Sequence, residues 1–158
     1  MAFSTFVTMI ECIRTNSDNM DFIALVKELD ADLAIRDGDE HAFYSQFNKI
    51  NVLKEVIVAY KDLVPVGCGA IKAYAKSTLE VKRMYVIPRE RGQGIASMIL
   101  EKLEEWGKEL NYDKCILETG IRQPEAIELY KKNGYRIIEN YGQYLDVANS
   151  VCFEKQLK

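Results

Sequence analysis

The chain has 158 residues, 48% of them hydrophobic, which is enough for one continuous core and predicts a single domain over residues 1–158. Its net charge of −3 argues against nucleic-acid binding, and four widely separated cysteines with a single histidine argue against a disulfide framework or a metal site. We find no leader pattern in residues 1–11 and no apolar run of about 20 residues, so we expect a cytoplasmic protein without a membrane partner.

The first half of the chain predicts a strand, two helices and an antiparallel meander. In chain order we predict a strand over residues 3–13, a capping turn over 16–18, a helix from Phe22 that stops at Gly38, a short helix over 41–47, and strands over 54–60, 64–74 and 79–87. Lys61 and Asp62 are the predicted hairpin turn between the second and third of these four strands.

The second half alternates helices with strands. We predict an amphipathic helix over residues 95–110, a strand over 114–118, a helix over 124–132 that stops at Asn133-Gly134, and strands over 135–138 and 150–154. A meander followed by crossover units is typical of the α/β class, with one mixed sheet and helices on its faces.

The segment from Val81 to Ala96, VKRMYVIPRERGQGIA, contains a candidate phosphate-binding turn. Glycines let successive N–H groups point at one spot, and the start of the following helix adds partial positive charge there. A Walker loop is absent, and a dinucleotide fingerprint would place glycine or alanine where Ser97 stands. A solvated turn is the alternative for an isolated GxG, but the position between a strand and an amphipathic helix favours an anion site.

Two segments resemble one known family. RERGQG (residues 89–94) is similar to the RxxGxG pyrophosphate loop of the GCN5-related N-acetyltransferase (GNAT) superfamily, and LETGIRQPEAIELYKKNGY (117–135) resembles its second block, ETxxxNxxAxxLYxKxGF. The resemblance implies the acyl-CoA N-acyltransferase fold, a mixed sheet of six to seven strands that splays between strands 4 and 5. It also implies an N-acetyltransferase that moves acetyl from acetyl-CoA to a primary amine of a small molecule or amino-acid-like acceptor.

The resemblance also implies a binding role for particular residues. The main chain of Met84 and Val86 would pair with the pantetheine arm of CoA. The implied diphosphate site comprises Arg91, Gly92, Gln93, Gly94, Ile95 and Ala96. Gln123 stands where the second block usually has Asn, which keeps the amide but lengthens its reach.

Glu80 and Tyr130 are the catalytic candidates. An alkyl ammonium with a pKa near 10.4 must lose a proton before it attacks, and Glu80 matches the position where many family members place the base. The alternative is a strand-end glutamate in a surface salt bridge. Tyr130, in the LY pair of the second block, matches the usual general acid, and the alternative is a core tyrosine beside Ile127.

The acceptor pocket of this fold is built from the first helices and from the loop between the last two strands. The corresponding candidates here are His41, Tyr44, Asn140, Tyr141, Gln143 and Tyr144. An ordinary turn whose tyrosines pack the sheet edge is the alternative. A non-catalytic acyl-CoA-binding regulatory module and a protein or peptide N-acetyltransferase also stay open, as does a homodimeric assembly.

Overall fold

A seven-stranded sheet with four α-helices forms the computed structural model, which describes residues 9–45 and 52–158. The strands are β1 (Ile10–Thr15), β2 (Glu55–Lys61), β3 (Val64–Ala75), β4 (Thr78–Val86), β5 (Lys114–Gly120), β6 (Arg136–Ile138) and β7 (Ser150–Gln156). The helices are α1 (Met20–Asp37), α2 (His41–Ser45), α3 (Ile95–Glu109) and α4 (Pro124–Lys132). The predicted order of elements is confirmed where the structure describes it, while residues 3–8 of the predicted first strand and residues 46–47 of the predicted short helix lie outside the described ranges.

Two boundaries differ from the sequence prediction for local reasons. The hairpin between β2 and β3 turns at Asp62 and Leu63, both with positive φ (49° and 70°), one residue later than predicted. The side chain of Asn19, rather than a residue of 16–18, caps α1 by accepting a hydrogen bond from the Phe22 amide at 2.9 Å.

The strands are ordered β1-β2-β3-β4-β5-β7-β6, and among these described strands the central pair β4–β5 is the parallel one. Helix α3 packs on one face of β3. A Cβ added at Gly67 or Gly69 would project from this face and would approach Ile99 of α3. The alternate residues of β3 are also fully buried, and α1 contacts β3 and β4. The sheet is therefore covered on both faces. Among the described residues no helix is long and apolar enough to cross a membrane.

The sheet opens between β4 and β5, as predicted. These strands pair only over Thr78–Glu80 and Lys114–Ile116. Just beyond, β4 contains a bulge: Cys68 faces Tyr85 and Ala70 faces Lys82, so Gly69 alone faces both Arg83 and Met84. Glycine suits this point, because a Cβ at residue 69 would lie 2.5 Å from the Met84 sulfur and 3.0 Å from side-chain carbons of Ile99 and Leu103, so these side chains would have to shift.

A buried carboxylate joins the second half of the sheet to α3. Glu104 of α3 is 7% exposed and accepts hydrogen bonds from the Tyr135 hydroxyl at 3.0 Å and from Lys155 Nζ at 2.7 Å. Tyr135 precedes β6 and Lys155 lies in β7. The three elements are thus held together by one satisfied polar cluster.

Candidate active site

A cavity of about 440 Å³ lies at the start of α3, bordered also by α1, α4 and the end of β4. Most of the residues predicted to bind CoA line it: Met84, Val86, Arg91, Gly92, Gly94, Ile95, Ala96 and Gln123. Gln93 does not line the cavity, because its side chain bonds instead to Glu90 and Lys61 at 3.1 and 3.2 Å. Any contribution of Gln93 to this cavity is therefore confined to its main chain.

The end of the loop before α3 and the first turn of that helix contain a run of free amides, and all of these residues except Gln93 line the cavity. The N–H groups of residues 92–97 donate no hydrogen bond to any described residue, whereas the next amide, Met98, bonds to Gly94 O at 3.0 Å. Gly92 and Gly94 adopt φ of 80° and 82°, the left-handed region that glycine tolerates best. The amide of Arg91 is already bonded to Pro88 O at 3.2 Å, so the free run begins at Gly92.

The open edge of β4 forms the wall beside this loop. The Ile87 amide donates to Val66 O of β3 at 2.9 Å, and main-chain groups alternate sides along a strand, so Met84 and Val86 face the side from which β5 has diverged. Arg91 Nε donates to Val86 O at 2.8 Å, and its guanidinium lies 5.5 Å from the centre of the Tyr85 ring. The side chain of Arg91 thus holds the loop against the strand.

A second cavity of about 120 Å³ meets the first. The two share Leu29, Met84, Gln123, Ala126 and Tyr130 as lining residues. The polar lining of the smaller cavity comprises Asp37, Tyr44, Glu80, Lys82, Arg83, Glu118, Thr119 and Tyr144 in addition to Gln123 and Tyr130. An acyl donor bound in the large cavity and an acyl acceptor bound in the small cavity would therefore meet at Tyr130.

Tyr130 is both a core residue and a wall of the two cavities. Its ring packs against Tyr135 and Phe153, with ring centroids 5.7 and 5.8 Å apart, and the residue is 6% exposed. Burial and the charge of Glu118 raise the pKa of Tyr130, so its hydroxyl stays protonated at neutral pH. The two interpretations of Tyr130 from the sequence, a core tyrosine and a general acid, are therefore compatible.

Glu80 lies inside the fold rather than on the surface. It is 7% exposed, accepts a hydrogen bond from the Tyr141 hydroxyl at 2.6 Å, and forms an ion pair with Lys82 at 3.5 Å. Tyr141 in turn packs edge-on against Tyr74 and Tyr144. Both oxygens of Glu80 therefore already have a partner.

Glu118 is a second carboxylate that the sequence reasoning missed. It accepts a hydrogen bond from Ser150 Oγ at 3.1 Å, and Ser150 Oγ lies 3.2 Å from the Tyr44 hydroxyl. Desolvation raises the pKa of Glu118 to about 7, and the charges of Asp37 and Glu80 add to the rise. The signal in the sequence was a glutamate directly after the apolar run CIL, inside the second of the two segments that resemble the family.

The other predicted acceptor residues divide into two groups. Tyr44 and Tyr144 line the small cavity, and Tyr141 reaches it through Glu80. His41 and Gln143 do not line it, and Asn140 holds its own loop by donating to Val147 O and Ser150 O at 2.9 and 3.2 Å.

Comparison with known proteins identifies the family. The model of the acetyltransferase (GNAT) family matches residues 22–135, well over half of the chain. The chain belongs to the GNAT family. This GNAT protein is therefore an acyltransferase of the acetyl-CoA-dependent class, as the resemblance of its two motifs predicted.

Several relatives of this GNAT protein show the extent of the likeness. An IAA acetyltransferase from Azospirillum brasilense is 36% identical over 64% of this chain and 67% of its own length. The human N-acetylaspartate synthetase is 33% identical over 61% of this chain, but over only 34% of its own length.

Solved structures agree with the fold. A Klebsiella pneumoniae protein assigned to the acyl-CoA N-acyltransferases superimposes with a TM-score of 0.78 at 29% identity, covering 95% of this chain and 99% of the other. The PaiA N-acetyltransferase of Thermoplasma acidophilum, solved with coenzyme A, superimposes with a TM-score of 0.69 at 18% identity, covering 94% and 99%.

Proposed function

We propose that this GNAT enzyme transfers the acetyl group of acetyl-CoA to a primary amine of a small molecule or amino-acid-like acceptor. The observation that carries the proposal is the junction of two cavities at Tyr130, one beside free amides at a helix start and the other lined by carboxylates. The first suits a phosphate-bearing donor, and the second suits a cationic amine.

The donor would lie in the larger cavity. Its diphosphate would accept hydrogen bonds from the free amides that begin at Gly92, and its pantetheine arm would pair with the main chain of Met84 and Val86. Gln123 would contact the arm near the junction, since it lines both cavities. The Thermoplasma protein of the same fold was solved with coenzyme A, which supports a CoA thioester as the donor.

The reaction we propose is direct attack through a tetrahedral intermediate. The amine nitrogen forms a bond to the acetyl carbonyl carbon, and a carboxylate of the small cavity takes the amine proton. A main-chain N–H near Met84 would stabilise the oxyanion. Collapse breaks the carbon–sulfur bond, and Tyr130 donates its proton to the departing thiolate.

The base belongs to the pair formed by Glu80 and Glu118. Glu118 is better suited to change protonation near neutrality, because its pKa is raised to about 7 and Ser150 occupies only one of its oxygens. Glu80, the residue that the family position indicates, would act through its charge or through a water molecule. Two carboxylates in one site seldom ionise alike, which fits a division of roles between them.

The small volume of the second cavity supports a small acceptor over a peptide, because about 120 Å³ is below the usual range for drug-sized ligands. The names of two relatives, IAA acetyltransferase and N-acetylaspartate synthetase, also point to small acceptors.

A thiol-release assay tests this proposal. The protein is mixed with acetyl-CoA and a panel of amino acids, polyamines, aminoglycosides and short peptides, and free CoA thiol is followed against a control without acceptor. We expect release above the control with at least one small amine. Tight CoA binding without release would establish the regulatory-module alternative, and release with peptides alone would establish a protein acetyltransferase.

A further inference from the structure

We propose that the acceptor is an amino acid whose carboxylate is bound by Arg83. This inference rests on the proposed function, because it assigns the chemistry of the acceptor in the small cavity. It comes from a buried guanidinium that neither sequence motif includes and that the proposed acid–base steps do not use.

Arg83 has more hydrogen-bonding capacity than its surroundings satisfy. Its side chain is 6% exposed and forms an ion pair from Nη1 to Asp30 Oδ1 at 2.8 Å, while Nη2 is buried and has no hydrogen-bond partner among the described residues. Buried polar groups of proteins nearly always have a partner, and a guanidinium binds a carboxylate through two parallel N–H groups. A ligand carboxylate would supply what Nη2 lacks.

The backbone places Arg83 where a ligand can use it. Arg83 lies in the β4 bulge with φ of 60°, a region that residues other than glycine seldom adopt and that local structure must impose. Arg83 is one of the residues that line the small cavity, and the next residue, Met84, lines both cavities. Arg83 is thus the neighbour in sequence of Met84, a residue of the junction at which acetyl transfer would occur.

The charges around the small cavity are of both signs. Asp37, Glu80 and Glu118 supply carboxylates, while Lys82 and Arg83 supply cations, and Lys82 is already paired with Glu80 at 3.5 Å. A simple alkylamine would satisfy only the acidic groups and would leave Arg83 Nη2 unpaired. An amino acid satisfies both, with its amine toward Glu118 and Tyr130 and its carboxylate toward Arg83.

The test compares each amino acid with its own amide in the thiol-release assay. The amino acid and its amide share the side chain and the position of the amine. The amine of the amide is less basic, so a larger fraction of it is unprotonated at neutral pH and able to attack. We expect kcat/KM for the best amino acid to exceed that of its amide by at least about tenfold, because a site built for a polar group rejects the analogue that lacks it.

Variants of Arg83 and Asp30 locate the cause of the preference. Arg83→Gln should raise KM for the amino acid and bring the acid-to-amide ratio toward one, with Arg83→Lys intermediate. Asp30→Asn is the matched control: it breaks the same ion pair but keeps the guanidinium, so the preference for the acid should remain.

Three results would overturn the inference. The first is a wild-type enzyme that uses amides or diamines as well as amino acids, a comparison that needs no variant. The second is an Arg83→Gln enzyme that keeps the acid preference, and the third is loss of that preference in Asp30→Asn as well, which would make Arg83 structural. Failure of the proposed function is distinct, since no small amine of any class would then release thiol.

Discussion

Glu80 and Glu118 approach one small cavity from neighbouring parallel strands, and their environments differ. Glu80 has Tyr141 and Lys82 as partners, whereas Glu118 has Ser150 and a pKa raised to about 7. The charge of Glu80 contributes to that rise. The two residues can therefore be told apart by their effects on the pH dependence of the rate.

We expect Glu118→Gln to lower kcat and to remove the rise in rate with pH that the wild type shows around pH 7, because the group that must lose its proton is gone. Glu80→Gln should keep that rise but move its midpoint to lower pH, since one negative charge beside Glu118 is lost. Rate profiles from pH 5 to 9 at saturating acetyl-CoA measure both effects. The reverse pattern, with the rise lost only in Glu80→Gln, would assign the base to Glu80.

Tyr130 gives a second prediction for a single side chain. Its raised pKa keeps the phenol protonated, so Tyr130→Phe removes a proton donor while it retains the ring that packs on Tyr135 and Phe153. We expect kcat to fall by about 100-fold or more, the usual contribution of general acid catalysis, with CoA affinity little changed. Steady-state kinetics and calorimetry of CoA binding measure the two. An unchanged kcat would exclude Tyr130 as the acid.

At the scale of elements, the sequence predicted the strands and helices well because each carries a strong local signal. The predicted bounds of α4 are those observed, since Pro124 begins the helix and Asn133-Gly134 ends it. The free amides before α3 were also predictable, because Gly92 and Gly94 precede a strongly amphipathic helix.

Tertiary placement was harder to predict. Glu118 meets Ser150 through the pairing of β5 with β7, and α2 brings the Tyr44 hydroxyl to the same serine, so both contacts join residues distant in sequence. The bulge at Arg83 has no glycine or proline of its own in β4 to mark it, because the glycine that accommodates it, Gly69, lies in the neighbouring strand.

The Glu104 cluster gives a prediction at the same scale. Glu104→Leu should lower the free energy of unfolding by about 1–3 kcal/mol, because the hydroxyl of Tyr135 and the ammonium of Lys155 would lose their acceptor. Denaturant unfolding measures the change. Glu101→Leu on the exposed side of α3 is the control, and it should change stability by no more than about 0.5 kcal/mol. Equal losses in the two variants would contradict a stabilising role for the cluster.

At the scale of the whole molecule, the two halves of the sheet meet over only three residue pairs between β4 and β5. A ligand that binds along this opening stabilises the folded state by mass action, about 2.7 kcal/mol at 100 times its Kd. For a chain of this size we expect saturating CoA to raise Tm by roughly 5–10 °C.

Glycine variants test whether this stabilisation depends on the amide loop. Gly94→Val should abolish the CoA-induced rise in Tm, because it places a branched side chain at a residue with φ of 82° among the free amides. Gly38→Val imposes similar strain at the end of α1, where φ is 55°, but Gly38 lines neither cavity, so the rise should persist. A rise that survives in Gly94→Val would exclude the loop as the main CoA contact.

The bulge in β4 also makes the enzyme sensitive to the number of residues in that strand. Because β4 has one residue more than β3 between two paired positions, removing one residue would put the strands back in step. Tyr85 would keep its place opposite Cys68, but β4 would lose the local bend that a bulge introduces just beyond the point where its pairing with β5 ends. The opening between β4 and β5 thus lies beside a mismatch in length between β3 and β4, which no comparison of residue types alone would reveal.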